Sequence, residues 1–261
     1  MTYRNLAHSL DIFYLEDLYR KYNNRKFIHP DPLEFLYNYK GLREQEVVGI
    51  IASSLAYGQV KQILKSVSSI LNVMGSRPSE FLKKVRSEAL KSTFSSFKHR
   101  FTTGEELAIF LSNIGSILRK YGSLNSCFME SYINEQEIFP ALLNFIKELR
   151  AGQCSCYNSL IPLPKGGCAY KRMNLYLRWM VRKDNVDLGG WDGIPASKLI
   201  VPLDIHMHRI ALECNLTSRR QADMITALQI TDFFKKICPE DPVKYDFALT
   251  RAGIQNHYSD N

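Results

Sequence analysis

The sequence predicts an all-α protein, a single globular domain of two interleaved helical lobes, and three observations carry that expectation. Apolar residues recur at helical spacing through most of the 261 residues, alternating strand patterns are missing apart from the short Ile200-Val201, and no internal repeat or low-complexity linker divides the chain. With 45% hydrophobic residues the chain can bury a sizeable core. Helices within 1–43 are expected to pack on a core of about 44–253.

Each element has its own warrant. Leu6, Leu10, Phe13, Tyr14 and Leu18 share one face of a helix over 6–22. Asp31-Pro32 reads as a cap followed by proline at the first helical position, opening a helix through Tyr39. The stretch 44–56 is apolar on several faces, which predicts a buried helix ending at Tyr57-Gly58, and 59–74 follows as its hairpin partner. Arg77-Pro78 marks a turn, with one or two short helices over 79–101. Thr103-Gly104-Glu105-Glu106 is a capping box ahead of Leu107, Phe110, Leu111, Ile114 and Leu118. Further helical periods lie at 124–133, 138–149, 219–229, 231–237 and 242–252.

Composition narrows the partners. Lys and Arg total 34 against 26 Asp and Glu, a net charge of +8 that favours a polyanion such as nucleic acid. Lys165, Lys171, Arg172, Arg178, Arg182, Lys183 and Lys198 crowd one stretch, as a phosphate-facing surface would require. No run of about 18 apolar residues suits a membrane span, and the acidic residues near the start do not suit a signal peptide. Six scattered cysteines fit a reduced, cytoplasmic protein better than a disulfide framework.

That same stretch, 163–209, holds the residues best arranged for chemistry. Leu163-Pro164-Lys165-Gly166-Gly167 is a glycine turn leading into a helix that begins near Tyr170-Lys171 and carries Met173, Leu177 and Met180 in register. Val201-Pro202-Leu203-Asp204 ends an apolar run with an aspartate placed to cap the next helix. A lysine amine is a nucleophile toward a sugar anomeric carbon once it is neutral, which requires its pKa to fall from near 10.4 to about 7–8. In the first turn of a helix the positive end of the dipole pushes Lys171 in that direction. As a cap, Asp204 would stay ionised and stabilise positive charge on the sugar.

A glycine turn opening a helix with an early lysine, then an apolar-Pro-Leu-Asp-x-His-x-x-Arg cap, resembles the helix-hairpin-helix DNA glycosylase superfamily. The family's hairpin reads Leu-Pro-x-Gly-x-Gly-x-Lys and its aspartate motif Val-Asp-Thr-His-x-x-Arg. The 33-residue separation of Lys171 from Asp204 is closer to the archaeal 8-oxoguanine glycosylase type, and the chain as a whole is also similar to an uncharacterised bacterial family. The resemblance implies a base-excision glycosylase, with or without lyase activity, in which Lys171 attacks the sugar of a flipped-out damaged nucleotide and Asp204 assists. It also implies a hairpin that holds a DNA phosphate at Gly166 and Gly167, with Lys165, Arg172, His206 and Arg209 as further phosphate contacts. By the same resemblance Gln59, at the end of the family's early helix, is a base-pocket candidate. Cys168-Ala169-Tyr170 stands where the second spaced glycine is expected. The four-cysteine loop of many relatives is missing, so no iron–sulfur cluster, other cofactor or metal is expected. The expected partner is duplex DNA, bound by a monomer.

Competing readings remain beside this one. Trp179, Trp191 and Tyr170 could stack on a flipped base or simply pack in the core. Asp204 could be only a cap, and Lys171 only a surface group. Cys154, Cys156 and Cys168 could bind a metal but lack an obvious fourth ligand. Asp204, His206 and His208 on an extended segment would serve a metal-dependent hydrolase, whereas on a helix they would diverge. A catalytically silent nucleic-acid-binding domain of the same fold fits the charge equally well.

Overall fold

The computed structural model describes residues 10–151, 157–164 and 167–259, with side chains described to residue 253. In chain order the elements are α1 (Ile12–Tyr22), a 3-10 turn Arg25–Phe27, a longer 3-10 helix Pro32–Asn38, α2 (Leu42–Ser54), α3 (Val60–Met74), α4 (Pro78–Lys84) and α5 (Ser87–Thr93). There follow β1 (Lys98–His99), β2 (Thr102–Thr103), α6 (Gly104–Tyr121), α7 (Leu124–Glu135), α8 (Ile138–Leu149), α9 (Lys171–Val181) and a 3-10 turn Ala196–Lys198. The chain continues through α10 (Ile205–Glu213), α11 (Met224–Ile237) and α12 (Asp246–Ser259). The fold class is all-α: among the described residues the sheet is one two-stranded antiparallel ribbon, and no helix is long and apolar enough to cross a membrane.

Two compact units divide the chain, one formed by Met1–His29 with Lys165–Asn261 and the other by Pro30–Pro164. The middle unit is built around α2. Val47, Val48, Ile50, Ile51 and Ala52 are fully buried there, because α2 packs against α3, α4, α7 and the Pro32–Asn38 helix. Two glutamates in the first half of α2 accept from neighbouring helix starts, where amides lack helical partners and the dipole favours an anion. Glu44 accepts from the Ser79 amide at 2.8 Å in α4, and buried Glu46 accepts from the Leu124 amide at 3.1 Å in α7. The capping box of α6 forms as its sequence predicts, with Thr103 and Glu106 each satisfying an amide of the other. Gly115 lets α6 approach α4 closely, since a Cβ there would lie 2.4 Å from the Leu82 carbonyl oxygen.

The predicted helix after Asp31 is a 3-10 helix, capped by Asp31 as expected but only seven residues long. The stretch 79–101 separates into α4, α5 and strand β1. Buried His99 pins that ribbon: its Nε2 faces the Tyr57 carbonyl at 3.1 Å, so Nδ1 accepts from the Ser66 hydroxyl at 2.9 Å. Ile200-Val201 is not a strand; the Val201 amide donates to Thr231 Oγ1 at 3.0 Å instead. The two helices expected over 219–237 are one, α11, starting at its Asp223 cap.

The other unit joins the two ends of the chain. Helix α1 packs on α12, with Tyr22, Leu18 and Phe27 against Ala248 and Ala252. Polar contacts stitch the same seam: Tyr19 donates to Asp184 at 3.0 Å, Tyr245 to Glu16 at 2.6 Å, and Arg251 to the Ile28 carbonyl at 3.1 Å. Beneath them runs a buried ion network. Arg178 pairs with Asp187 at 3.2 Å and with Asp246, while Arg182 pairs with Asp187, with Asp184 at 2.9 Å and with Asp241 at 2.8 Å.

Removing one partner of such a network strands the others in a low dielectric, which typically costs about 3–5 kcal/mol. Arg182→Met, of similar length and without charge, is therefore expected to lower unfolding stability by about that amount in urea titration; a loss below about 1 kcal/mol would mean that solvent reaches the carboxylates.

Candidate active site

Local sequence explains how the two candidate catalytic side chains are presented. Gly167 adopts φ +115°, a conformation open to glycine, and Tyr170 follows in the left-handed region at φ 47°, turning the chain into α9. Asn174, one turn into the helix, donates to the Ala169 carbonyl at 3.0 Å and holds the turn against it. The Tyr170 side chain makes no cap bond at the start of α9, whose dipole turns its positive end toward the turn. Cys168 forms an isolated antiparallel bridge with Asp223, which draws the start of α11 beside the turn.

Asp204 divides its two oxygens between two tasks. Oδ1 accepts from the Met207 amide at 2.7 Å, capping α10, while Oδ2 lies 3.7 Å from Lys171 Nζ. The pair is neither sealed nor fully solvated, with side-chain exposure of 35% for Lys171 and 20% for Asp204. The starts of α9 and α10 thus meet at one lysine and one aspartate, while the start of α11 lies against Cys168 in the turn before α9. At α11, the Thr226 amide and Arg219 hold the Asp223 carboxyl below the ordinary carboxylate range.

One further carboxylate of this unit has no motif to announce it. Asp246, the first residue of α12, is buried against Arg178, and burial pushes its carboxyl up to about 6. Arg178 pulls it down, while the charge of Asp204 pushes it further up.

The other sequence candidates are placed as follows. Arg172, His206 and Arg209 are half-buried, on α9 and α10, and His206 and Arg209 share one face of α10. Gly167 is exposed in the turn, while Lys165 and Gly166 lie outside the described residues, as do Cys154 and Cys156. Gln59 belongs to the other unit, exposed at the start of α3, where its carbonyl accepts from Gln62 and Ile63 and its side chain makes no cap bond.

Three expectations are corrected. Trp179 and Trp191 are 0% and 1% exposed and belong to the core, where Trp191 packs edge-on against Tyr176 at 5.3 Å; Tyr170 is buried as well, so none offers a face for stacking. Arg178 and Arg182 do not face phosphates, because both are spent on buried aspartates. The grouping of Asp204, His206 and His208 as metal ligands fails because 205–213 is helical, which sets His206 and His208 about 200° apart. His208 Nε2 meets the Arg219 carbonyl at 2.8 Å, and among the described residues no cluster of His, Cys, Asp and Glu is arranged to hold a metal ion.

Carboxyl NMR of the folded protein is expected to show Asp246 titrating near 6, well above the ordinary carboxylate value of about 4. A raised carboxylate favours folding in its protonated form, so its contribution is fully present below about 4 and is lost as pH rises through about 6. A midpoint at about 4 or below would mean that Arg178 alone governs the site.

One family, described as a protein of unknown function (DUF2400), matches residues 31–255. No curated protein and no solved structure matches the chain.

Proposed function

We propose that this chain, which belongs to the DUF2400 family, is a DNA-binding base-excision glycosylase with a helix-hairpin-helix-like fold, acting through Lys171 and Asp204. The observation that carries the proposal is the approach of Lys171 Nζ to within 3.7 Å of Asp204 Oδ2, each at the start of its own helix. Residues 33 positions apart in sequence, singled out by different motifs, come together at a partly open surface. The net charge of +8 supports a polyanionic substrate.

The chemistry follows from what each group can do. A neutral Lys171 amine attacks C1′ of the damaged nucleotide as the N-glycosidic bond breaks, and the base leaves with the bonding electrons and takes up a proton. Asp204, held by the Met207 amide, presents its other oxygen to the positive charge that develops on the sugar and can accept the proton that Lys171 loses. Opening of the sugar ring gives an imine joining Lys171 to the DNA. Water releases it, or elimination of the 3′ phosphate cleaves the strand. The positive dipole end at the start of α9 and the turn at Gly167 suit a backbone phosphate.

Borohydride reduces an imine to a stable amine, so incubation with duplexes carrying different damaged bases should produce a slower band on a denaturing gel. Lys171→Gln is expected to abolish the band while keeping DNA affinity within a few fold, and Lys165→Gln to weaken binding yet keep the band. No band on any damaged duplex would overturn the enzymatic proposal in favour of a silent binding domain. Asp204→Asn retains a capping oxygen, so stability should change by less than about 0.5 kcal/mol while base excision drops by two or more orders of magnitude; full activity would reduce Asp204 to a cap. Affinity for duplex DNA is expected to fall with log salt at a slope of roughly −4 to −5, as for four to six neutralised phosphates, and a flat dependence would remove nucleic acid as the partner.

A further inference from the structure

The middle unit carries a polar cavity that the proposed chemistry does not use. It lies between α3, the turn after α5 and strand β1, and it encloses about 370 Å³. Two lysines line it, Lys65 from α3 and Lys98 from β1, and none of its lining residues is a carboxylate. Among the described residues neither amine has an ion-pair or hydrogen-bond partner. Gln62, Thr93 and Ser96 add an amide and two hydroxyls to the wall, and their side chains are likewise unpaired among the described residues.

The local chain explains why this wall offers donors. A helix end normally leaves its last carbonyls open, and α5 ends at the cavity with Thr93. Here the turn takes carbonyls back: the Phe94 amide donates to Leu90 at 3.0 Å, the Ser95 amide to Ser92 at 3.3 Å and the Phe97 amide to Phe94 at 2.9 Å. On the α3 side the Ser69 hydroxyl donates to the Ser66 carbonyl at 2.8 Å, and the Ser66 hydroxyl to His99 Nδ1 at 2.9 Å. Buried His99 is thereby tied to α3, which places the backbone carrying its exposed neighbour Lys98.

We infer that this cavity binds a small phosphorylated sugar, with Lys65 and Lys98 on the phosphate and Gln62, Thr93 and Ser96 hydrogen-bonding the sugar hydroxyls. Two ammonium groups without a counter-charge create a positive local potential that suits a dianion, and lysine serves phosphate as a point charge. A divalent cation would find no carboxylate here. The volume falls in the range of small-molecule sites, which start at roughly 300 Å³, and it exceeds what a bare phosphate fills. Val73 and half-buried Phe97 supply an apolar stretch of wall for the carbon face of a sugar ring. The inference does not rest on the glycosylase proposal, since none of these residues belongs to the unit that holds Lys171 and Asp204.

Amide NMR of the full chain, titrated with ribose 5-phosphate, ribose and inorganic phosphate at constant ionic strength, tests it. Ribose 5-phosphate should give saturable shifts confined to residues 62–73 and 93–98, inorganic phosphate weaker shifts at the same lysine neighbours, and ribose none. Both lysines are exposed, so Lys65→Gln and Lys98→Gln should fold normally, and each should weaken binding about five- to tenfold. No saturable shift up to about 10 mM sugar phosphate would overturn the inference, as would affinity unchanged in the doubly substituted protein. A further arm uses a short single-stranded oligonucleotide carrying a 5′ phosphate. If it bound the cavity more tightly than the sugar phosphate and lost that affinity in both lysine variants, the cavity would be a nucleic-acid contact and the small-molecule assignment would fall. Trapped imine at Lys171 reports on the other unit, so either reading can fail while the other stands.

Discussion

Helix α9 is held by two buried arginines, and the arrangement of its unit follows from what those arginines require. Arg178 and Arg182 face four aspartates, Asp184, Asp187, Asp241 and Asp246, drawn from the loop after α9 and from the segment around the start of α12. Moving any of these segments would strand a charge in the interior, so the network specifies geometry even though buried ion pairs add little net stability. Two guanidiniums cannot neutralise four carboxylates. The surplus, together with burial, accounts for the elevated carboxyls of Asp187 and Asp246, while Arg182 and the amides of Asp187 and Val186 hold Asp184 low against its own burial. Because α9 is fixed at its buried end, the backbone that carries Lys171 at its open end is placed as well, 3.7 Å from Asp204 at its side-chain tip.

Much of this architecture was legible because capping is local chemistry. Asp31, Thr103 and Asp204 each stand one residue before a helix and each accepts from an amide in its first turn, whereas the Asp11 cap of α1 was not read from the sequence. The lysine and the aspartate of the site were legible for the same reason, each lying at a helix start with a recognisable turn before it. Periodicity failed where local and tertiary effects competed. The segment after Pro32 winds as a 3-10 helix, and the region around Arg219 is tied up in a turn in which its amide donates to Thr217, so α11 starts late. The pattern suggests separate helices on either side of Ile230, yet Thr231 bonds back to the Ala227 carbonyl and the helix continues.

Burial of charge was the illegible part. Arg178 and Arg182 look like Arg172 and Lys183 in sequence, and only their aspartate partners, up to 68 residues away, decide that two of the four are interior. Asp246 has no motif and lies 42 positions beyond Asp204. Trp179 carried the opposite ambiguity, since helical spacing suits a core residue and a stacking platform alike, and its complete burial decides for the core. The division of Asp204 between the Met207 amide and Lys171 also needed coordinates, because a cap and a catalytic carboxylate share the same sequence signature.

Mass spectrometry of the reduced protein–DNA adduct would bear on the proposed chemistry most directly. After incubation with duplex carrying a damaged base, reduction with borohydride and digestion of both polymers, the added sugar remnant should sit on the side chain of Lys171. A remnant on Lys165, Lys183 or Lys198 would contradict the assignment of the nucleophile, and with it the catalytic role of the Lys171–Asp204 approach.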